Sequence, residues 1–173
     1  MAAAELPSRP PEEETRWLNE EERAAWLALA RLMAKLPPAL DAQLEREAGL
    51  NYFEYLVMAM LSEHPQRVLR MSQLAGFTNA SLSRLSHVVK RLEGAGYVRR
   101  EPDELDGRTT RAVLTDAGMA AVVAAAPGHV TAVRELVFDS LSVTQVRQLR
   151  AALDDVLTRV DPGGMPDLFS PSV

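Results

Sequence analysis

The 173 residues contain no cysteine, which excludes disulfides, thiolate metal sites and cysteine redox switching and permits a reducing compartment. Two marks of catalysis are also missing: there is no Gly-x-Ser-x-Gly and no phosphate-cradling Gly-x-x-x-x-Gly-Lys. The histidines His64, His87 and His129 are too scattered to share a metal, and Asp154-Asp155 sits on an exposed helix face without partners. No enzyme activity, metal or cofactor is expected. No apolar run approaches the roughly 18 residues of a membrane-spanning helix. The opening stretch, MAAAELPSRPPEEE, is acidic and lacks the apolar core of a signal peptide, so a cytoplasmic protein is expected.

Basic charge is scarce overall, with a net charge of −5, but it is unevenly placed. Residues 1–63 carry 6 Lys/Arg against 12 Asp/Glu, residues 64–111 carry 9 against 5, and residues 112–173 carry 4 against 7. A locally positive, globally acidic chain can touch phosphate with one surface while the rest is repelled, which limits non-specific binding.

What the chain does contain is helical periodicity around a short basic centre. Residues 1–18, rich in Pro, Glu and Ala, read as a disordered tail. A long amphipathic helix then runs from about Asn19 through Trp26, Leu29, Met33, Leu36, Leu40, Leu44 and Ala48, with Pro37 and Pro38 expected to kink or split it. Gly49 stops it, and Asn51 with Glu54 resembles a capping box opening a helix that ends before Pro65. The aromatics Trp17, Trp26, Tyr52, Phe53 and Tyr55 are each expected in the core rather than at a ligand.

After a short strand at Val68–Arg70 and about two turns of helix at Met71, Leu74 and Ala75, the turn Gly76-Phe77-Thr78-Asn79 offers Thr78 or Asn79 as cap for the next helix. In that helix Leu82, Leu85, Val89 and Leu92 make one core-facing stripe, and Ser83, Arg84, His87, Lys90 and Arg91 share the opposite face without a carboxylate. Such a helix after a tight turn and before a hairpin is arranged to enter a DNA major groove. Arg84 and Arg91, two turns apart, can each grip a guanine or a phosphate, and His87 at the centre can bond a base edge or a phosphate. Ser81 and Ser83 stand near the first turn, where hydroxyls favour phosphate, although Ser81 can equally be the cap. Lys90 is a phosphate contact or simply solvated.

Strands at Tyr97–Glu101 and Arg111–Leu114 flank a polar loop with turn chemistry at Asp106-Gly107, a β-hairpin wing whose tip residue Arg108 can enter a narrow minor groove. Thr115 caps an alanine-rich helix interrupted by Pro127-Gly128 and continuing to about Ser140. Ser142 and Gln145 open a last helix with Val146, Leu149, Leu153, Val156 and Val160 on one stripe. Residues 161–173 read as a second disordered tail. The first helix and the last two carry more apolar surface than the central lobe can cover. A second copy wrapped around them would bury both sets and set two groove helices on one duplex.

Asp106-Gly107-Arg108-Thr109, the run Leu114-Thr115-Asp116-Ala117-Gly118 and the segment from Leu82-Ser83-Arg84 to Arg91-Leu92, in this helix order, resemble the MarR family of winged-helix transcriptional regulators over residues 19–160. The resemblance implies a mainly α fold with a small β-hairpin wing, a winged helix-turn-helix lobe at 51–114 and dimerisation helices at 19–48 and 115–160. It also implies a homodimer on a palindromic operator of double-stranded DNA, acting as a repressor and released by a small phenolic or other aromatic effector. In that family pattern Asp106 orients Arg108 through an ion pair. Two rivals remain: an enzyme, for which the chain lacks the parts, and a winged-helix protein-interaction module, which the Lys- and Arg-bearing face disfavours.

Overall fold

The computed structural model describes residues 15–103 and 107–162. It divides into two compact units at Ala34 and Lys35. The first helix, α1 (Glu20–Ala48), starts at a capping box that the sequence reading missed: Asn19 Oδ1 accepts from the Glu22 N–H at 2.8 Å, and Glu22 Oε2 accepts from the Asn19 N–H at 2.9 Å. Trp26, Leu27, Leu32 and Met33 on its first unit stay exposed. Trp17, expected in the core, is 84% exposed and Trp26 53%.

Pro37 and Pro38 do not split α1. Their rings remove the amide donors that the Met33 and Ala34 carbonyls would use, but these residues and both prolines are exposed, so water can replace the lost bonds. Beyond them Leu40, Gln43 and Leu44 are buried. Gly49, with φ +65°, ends the helix, its N–H donating to the Glu45 carbonyl at 3.1 Å.

The reading of the next segments holds closely. Helix α2 (Tyr52–Glu63) opens on the Asn51–Glu54 capping box and ends at His64. Strand β1 (Val68–Arg70) leads into α3 (Met71–Phe77). The cap of the following helix α4 (Leu82–Gly94) is Ser81, not Thr78 or Asn79: Ser81 Oγ accepts from the Arg84 N–H at 3.2 Å. Thr78 instead closes α3, its hydroxyl donating to the Leu74 carbonyl at 2.8 Å, and Asn79 turns the chain with φ +47°.

Strands β2 (Val98–Pro102) and β3 (Thr110–Leu114) form the wing, and β1 adds to it, giving an antiparallel sheet in the order β1-β3-β2. Leu69 pairs with Ala112 and Arg100 with Ala112 from the other side. Pro102 lies at the end of β2, an edge strand, where a missing N–H costs no ladder bond. Thr115 caps α5 (Asp116–Val133), which runs unbroken through Pro127 because the orphaned Val123 carbonyl also sits on an exposed stretch. A π-helical turn (Arg134–Phe138) continues it, and α6 (Val143–Val160) opens on the Ser142–Gln145 capping box.

The core gathers α2, α3, α4, the sheet and one face of α5 around Leu44, Met58, Leu61, Leu74, Leu85 and Val122. His129 packs its ring 4.7 Å from that of Tyr55, and burial pushes its imidazole below the usual histidine value. Leu82 is the exception in the predicted stripe. At the first turn of α4 it is 57% exposed, so of the four only Leu85, Val89 and Leu92 are buried.

Candidate nucleic-acid interface

Helix α4 exists because its inward residues recur at four- and three-residue spacing, and Ser81 satisfies an N–H of its first turn. That fixes what points outward. Ser83, Arg84, His87, Lys90 and Arg91 are all exposed. At about 100° per residue, Ser83, His87 and Lys90 form the outermost line. Arg84 and Arg91 lie on the flank toward α2. The Arg84 guanidinium stacks 4.4 Å from the centroid of the Phe53 ring, and Arg91 Nη2 donates to Glu54 Oε1 at 2.8 Å.

Glu54 therefore has two jobs. Its Oε2 accepts from the Asn51 N–H at 3.0 Å, closing the cap of α2, while Oε1 holds Arg91. The side chain is buried, so the cap of one helix fixes the lateral position of the other. The capping box was legible in the sequence. The ion pair was not, because nothing local sets residues 37 apart side by side.

The wing is braced at its stem. Arg70 Nε and Nη2 donate to the two carboxylate oxygens of buried Asp103 at 2.9 and 3.2 Å, a fork that ties β1 to the start of the loop. Arg111 donates to Glu101 at 2.7 Å, and Arg99 also pairs with Glu101. Arg100 Nη2 donates to Glu93 at 2.7 Å, linking wing to groove helix. That guanidinium, with the Arg100 N–H, holds the Glu93 carboxyl below the ordinary carboxylate range. Arg108 is exposed near the tip. Asp106 lies outside the described residues, and so does its pairing with Arg108.

One threonine joins this lobe to α5. Thr115 Oγ1 accepts from the Gly118 N–H at 3.0 Å and donates to the Gly96 carbonyl at 2.7 Å, and the Thr115 N–H donates to the Tyr97 carbonyl at 3.0 Å. Gly118 is required here: a Cβ at that position would overlap the Tyr97 carbonyl oxygen and lie 2.7 Å from Leu114 Cδ1.

A cleft of about 430 Å³ opens beside the recognition helix, its lining including Pro37, Pro38, Asp41, Tyr52, Phe53 and Arg84. Tyr52 and Phe53, expected in the core, are half-buried walls of it, whereas Tyr55 is buried as expected. The cleft has aromatic and proline faces, one cation, Arg84, and one carboxylate, Asp41, whose Oδ1 accepts from the Tyr52 N–H at 2.7 Å.

A helix-turn-helix carrying an outward, carboxylate-free face, followed by a β-hairpin wing that joins β1 in a three-stranded sheet, defines a winged-helix DNA-binding protein. A sequence model of the MarR family matches residues 50–110. The chain is 41% identical to Sco3205 of Streptomyces coelicolor, a MarR family transcriptional regulator whose structure was solved in complex with DNA, with 91% of this chain and 98% of that one covered and a TM-score of 0.82. It is 32% identical over 132 residues to the transcriptional repressor Rv2887 of Mycobacterium tuberculosis, covering 73% of this chain and 88% of that one. With PapX of Escherichia coli the 32% identity extends over 71 residues and spans 43% of that regulator's length. The protein belongs to the MarR family and is a DNA-binding transcriptional regulator.

Proposed function

We propose that the protein is a cytoplasmic, homodimeric repressor that binds a palindromic operator and lets go of it when a small aromatic effector occupies the Phe53–Arg84 cleft. The observation that carries the DNA reading is the exposed line Ser83, His87, Lys90, flanked by Arg84 and Arg91, set beside a braced wing. In this reading residues 51–114 contact DNA: His87 meets a base edge, Arg84 a base or the groove wall, and Ser81, Ser83, Lys90 and Arg91 the phosphates. Arg108, oriented by Asp106, enters the minor groove. Arg91 reaches phosphate only by sharing its charge with Glu54, so its share of the affinity is smaller than that of Lys90.

Residues 19–48 and 115–160 serve dimerisation. The support is α6, an 18-residue amphipathic helix on which no residue is buried, with Val143, Val156, Leu157 and Val160 at least half exposed. Helix α5 points the same way. Although no such run was expected, Asp116–Phe138 is long and apolar enough by composition to cross a membrane, since no charge separates Asp116 from Arg134. One face packs on α2 through Val122 and Ala125, and Val123 and Val130 on the other face are open to a second copy. Each such side chain gains roughly 1 kcal/mol or more when covered.

The effector reading rests on the cleft's chemistry. A flat phenolic ring suits the aromatic walls, its hydroxyl can meet Asp41 or Arg84, and seating it between Phe53 and Arg84 removes Arg84 from the groove flank. Arg84→Ala is expected to cost on the order of 1–3 kcal/mol on the operator and to relax preference at one base pair per half-site. It should also blunt release by a phenolic effector.

Footprinting tests the two-fold arrangement. Protection should fall on an inverted repeat whose half-site centres are about 10 bp apart, and a single unrepeated half-site would contradict it. Arg108→Ala is expected to weaken binding to all duplexes, most where A·T-rich sequence flanks the half-site, and to flatten the salt dependence. An unchanged salt slope in a folded Arg108→Ala dimer would remove the wing from the interface.

A further inference from the structure

Arginine far outnumbers lysine in this chain: of the 19 Lys and Arg residues 17 are arginine, and Lys35 and Lys90 are the two lysines. The difference is chemical. A guanidinium stays protonated and offers no nucleophilic nitrogen, whereas a lysine amine can lose its proton and be acylated. On the groove helix Arg84 and Arg91 therefore carry permanent charges, and Lys90 carries the one that an acyl group can remove.

The packing leaves that amine unengaged. A carboxylate does stand three residues beyond Lys90, at a spacing that pairs charges along a helix, but Glu93 is taken. Its Oε1 accepts from the Arg100 N–H at 3.1 Å, and its Oε2 accepts from Arg100 Nε and Nη2 at 3.0 and 2.7 Å. Glu54, whose carboxylate also lies against α4, is held by Arg91. Lys90 is exposed and makes no ion pair among the described residues, and the exposed His87 imidazole stands one turn back on the same line of the helix.

Building on the DNA-binding reading above, we propose that Lys90 is an acetylation site, at which an activated acetyl donor, a thioester or an acyl phosphate, turns off the grip of the groove helix on DNA. The ammonium gives one proton to the His87 imidazole, and the freed amine attacks the acyl carbon. A C–N bond forms as the C–S bond of the thioester, or the C–O bond of the acyl phosphate, breaks, and the second proton leaves with the thiolate or phosphate. The product is a neutral, bulkier amide on the outermost line of α4. It forfeits one charge-assisted phosphate contact, and the counterion released with it, per protomer. Lys35 has no histidine three or four residues away, so it reacts without a neighbouring base.

The test treats the full-length protein with acetyl phosphate in one arm and acetyl-coenzyme A in the other, follows each lysine by peptide mass spectrometry, and titrates the product against a duplex from upstream of its own gene. Reaction at Lys90 in either arm supports the inference and names the donor. Lys90 should be acetylated several-fold faster than Lys35, His87→Ala should erase that difference, and a saturating duplex should slow Lys90 alone. Affinity should fall in step with Lys90 occupancy, by about tenfold or more at full modification, and the salt slope should shrink by roughly one per protomer. Lys90→Gln should reproduce the loss without treatment. Lys90→Arg, which keeps a charge and offers no amine, should bind equally before and after treatment, whereas Lys35→Arg should stay sensitive. All three positions are exposed, so the variants should melt with the wild type. A Lys90 that reacts no faster than Lys35, full acetylation without loss of affinity, or an equal loss in treated Lys90→Arg would overturn the inference and leave the DNA-binding reading standing. A wild type that binds no duplex before treatment would sink both.

Discussion

Leu149→Asp combined with Leu153→Asp is expected to leave the protein monomeric at micromolar concentration and to lower operator affinity by about a hundredfold or more. Both leucines lie on the open stripe of α6 with Val156 and Val160. If that stripe is covered by a second copy, each new carboxylate must either be desolvated or hold the helices apart, at a cost of several kcal/mol. The affinity follows the oligomer, because two half-site contacts on one duplex add avidity that a monomer forfeits. Helix and cap should otherwise survive, since neither leucine is buried in the protomer. Sedimentation velocity and anisotropy on the same sample check both parts together. A double variant that remains dimeric and binds like the wild type would place the partner surface elsewhere.

Gly118→Ala is expected to destabilise the fold by about 1–3 kcal/mol, the usual cost of forcing a methyl into a packed site. The added Cβ meets the backbone oxygen of Tyr97, which cannot rotate away as a flexible side chain could. Relief requires the start of α5 to move off the sheet, and this breaks the bonds through which Thr115 links Gly96, Tyr97 and Gly118. The consequence for function is geometric: the lobe carrying α4 and the wing is no longer held at a fixed angle to α5, which on the proposed two-fold arrangement makes two half-sites harder to engage at once. A thermal melt should shift down by several degrees, about 2–4 °C per kcal/mol at this size. An unshifted melt would mean that the strand can retreat without cost.

Local chemistry was the legible part of this sequence. The Asn51–Glu54 and Ser142–Gln145 boxes, the Thr115 cap and the Gly49 stop each involve residues within a few positions of one another, and each stands in the structure as read. The prolines misled for the opposite reason. Whether Pro37, Pro38 or Pro127 breaks a helix depends on whether the freed carbonyl can find water, which is a property of exposure and not of the proline. Leu82 misled because periodicity assigns a residue to a face and does not say whether the neighbouring helix reaches far enough to cover it.

At the interface, the outward residues of α4 were legible from spacing alone. Their partners were not. Phe53 beneath Arg84, Glu54 beside Arg91, Asp103 clasped by Arg70 and Glu93 holding Arg100 all join positions brought together only by the packing of α2, α4 and the sheet. These contacts change what the exposed cations are able to do. His87 and Lys90 make no ion pair among the described residues, whereas Arg91 and Arg100 work from fixed positions.

The most direct test of the account is a fluorescence-anisotropy titration of the wild-type protein against a labelled duplex from the region upstream of its own gene and against a shuffled duplex of the same composition, each at several salt concentrations. The account predicts saturable binding of the upstream duplex by two protomers. It also predicts a preference of about a thousandfold or more over the shuffled duplex and a steep loss of affinity with salt for both. Equal affinity for the two duplexes, or no binding to either by a folded protein, would contradict it.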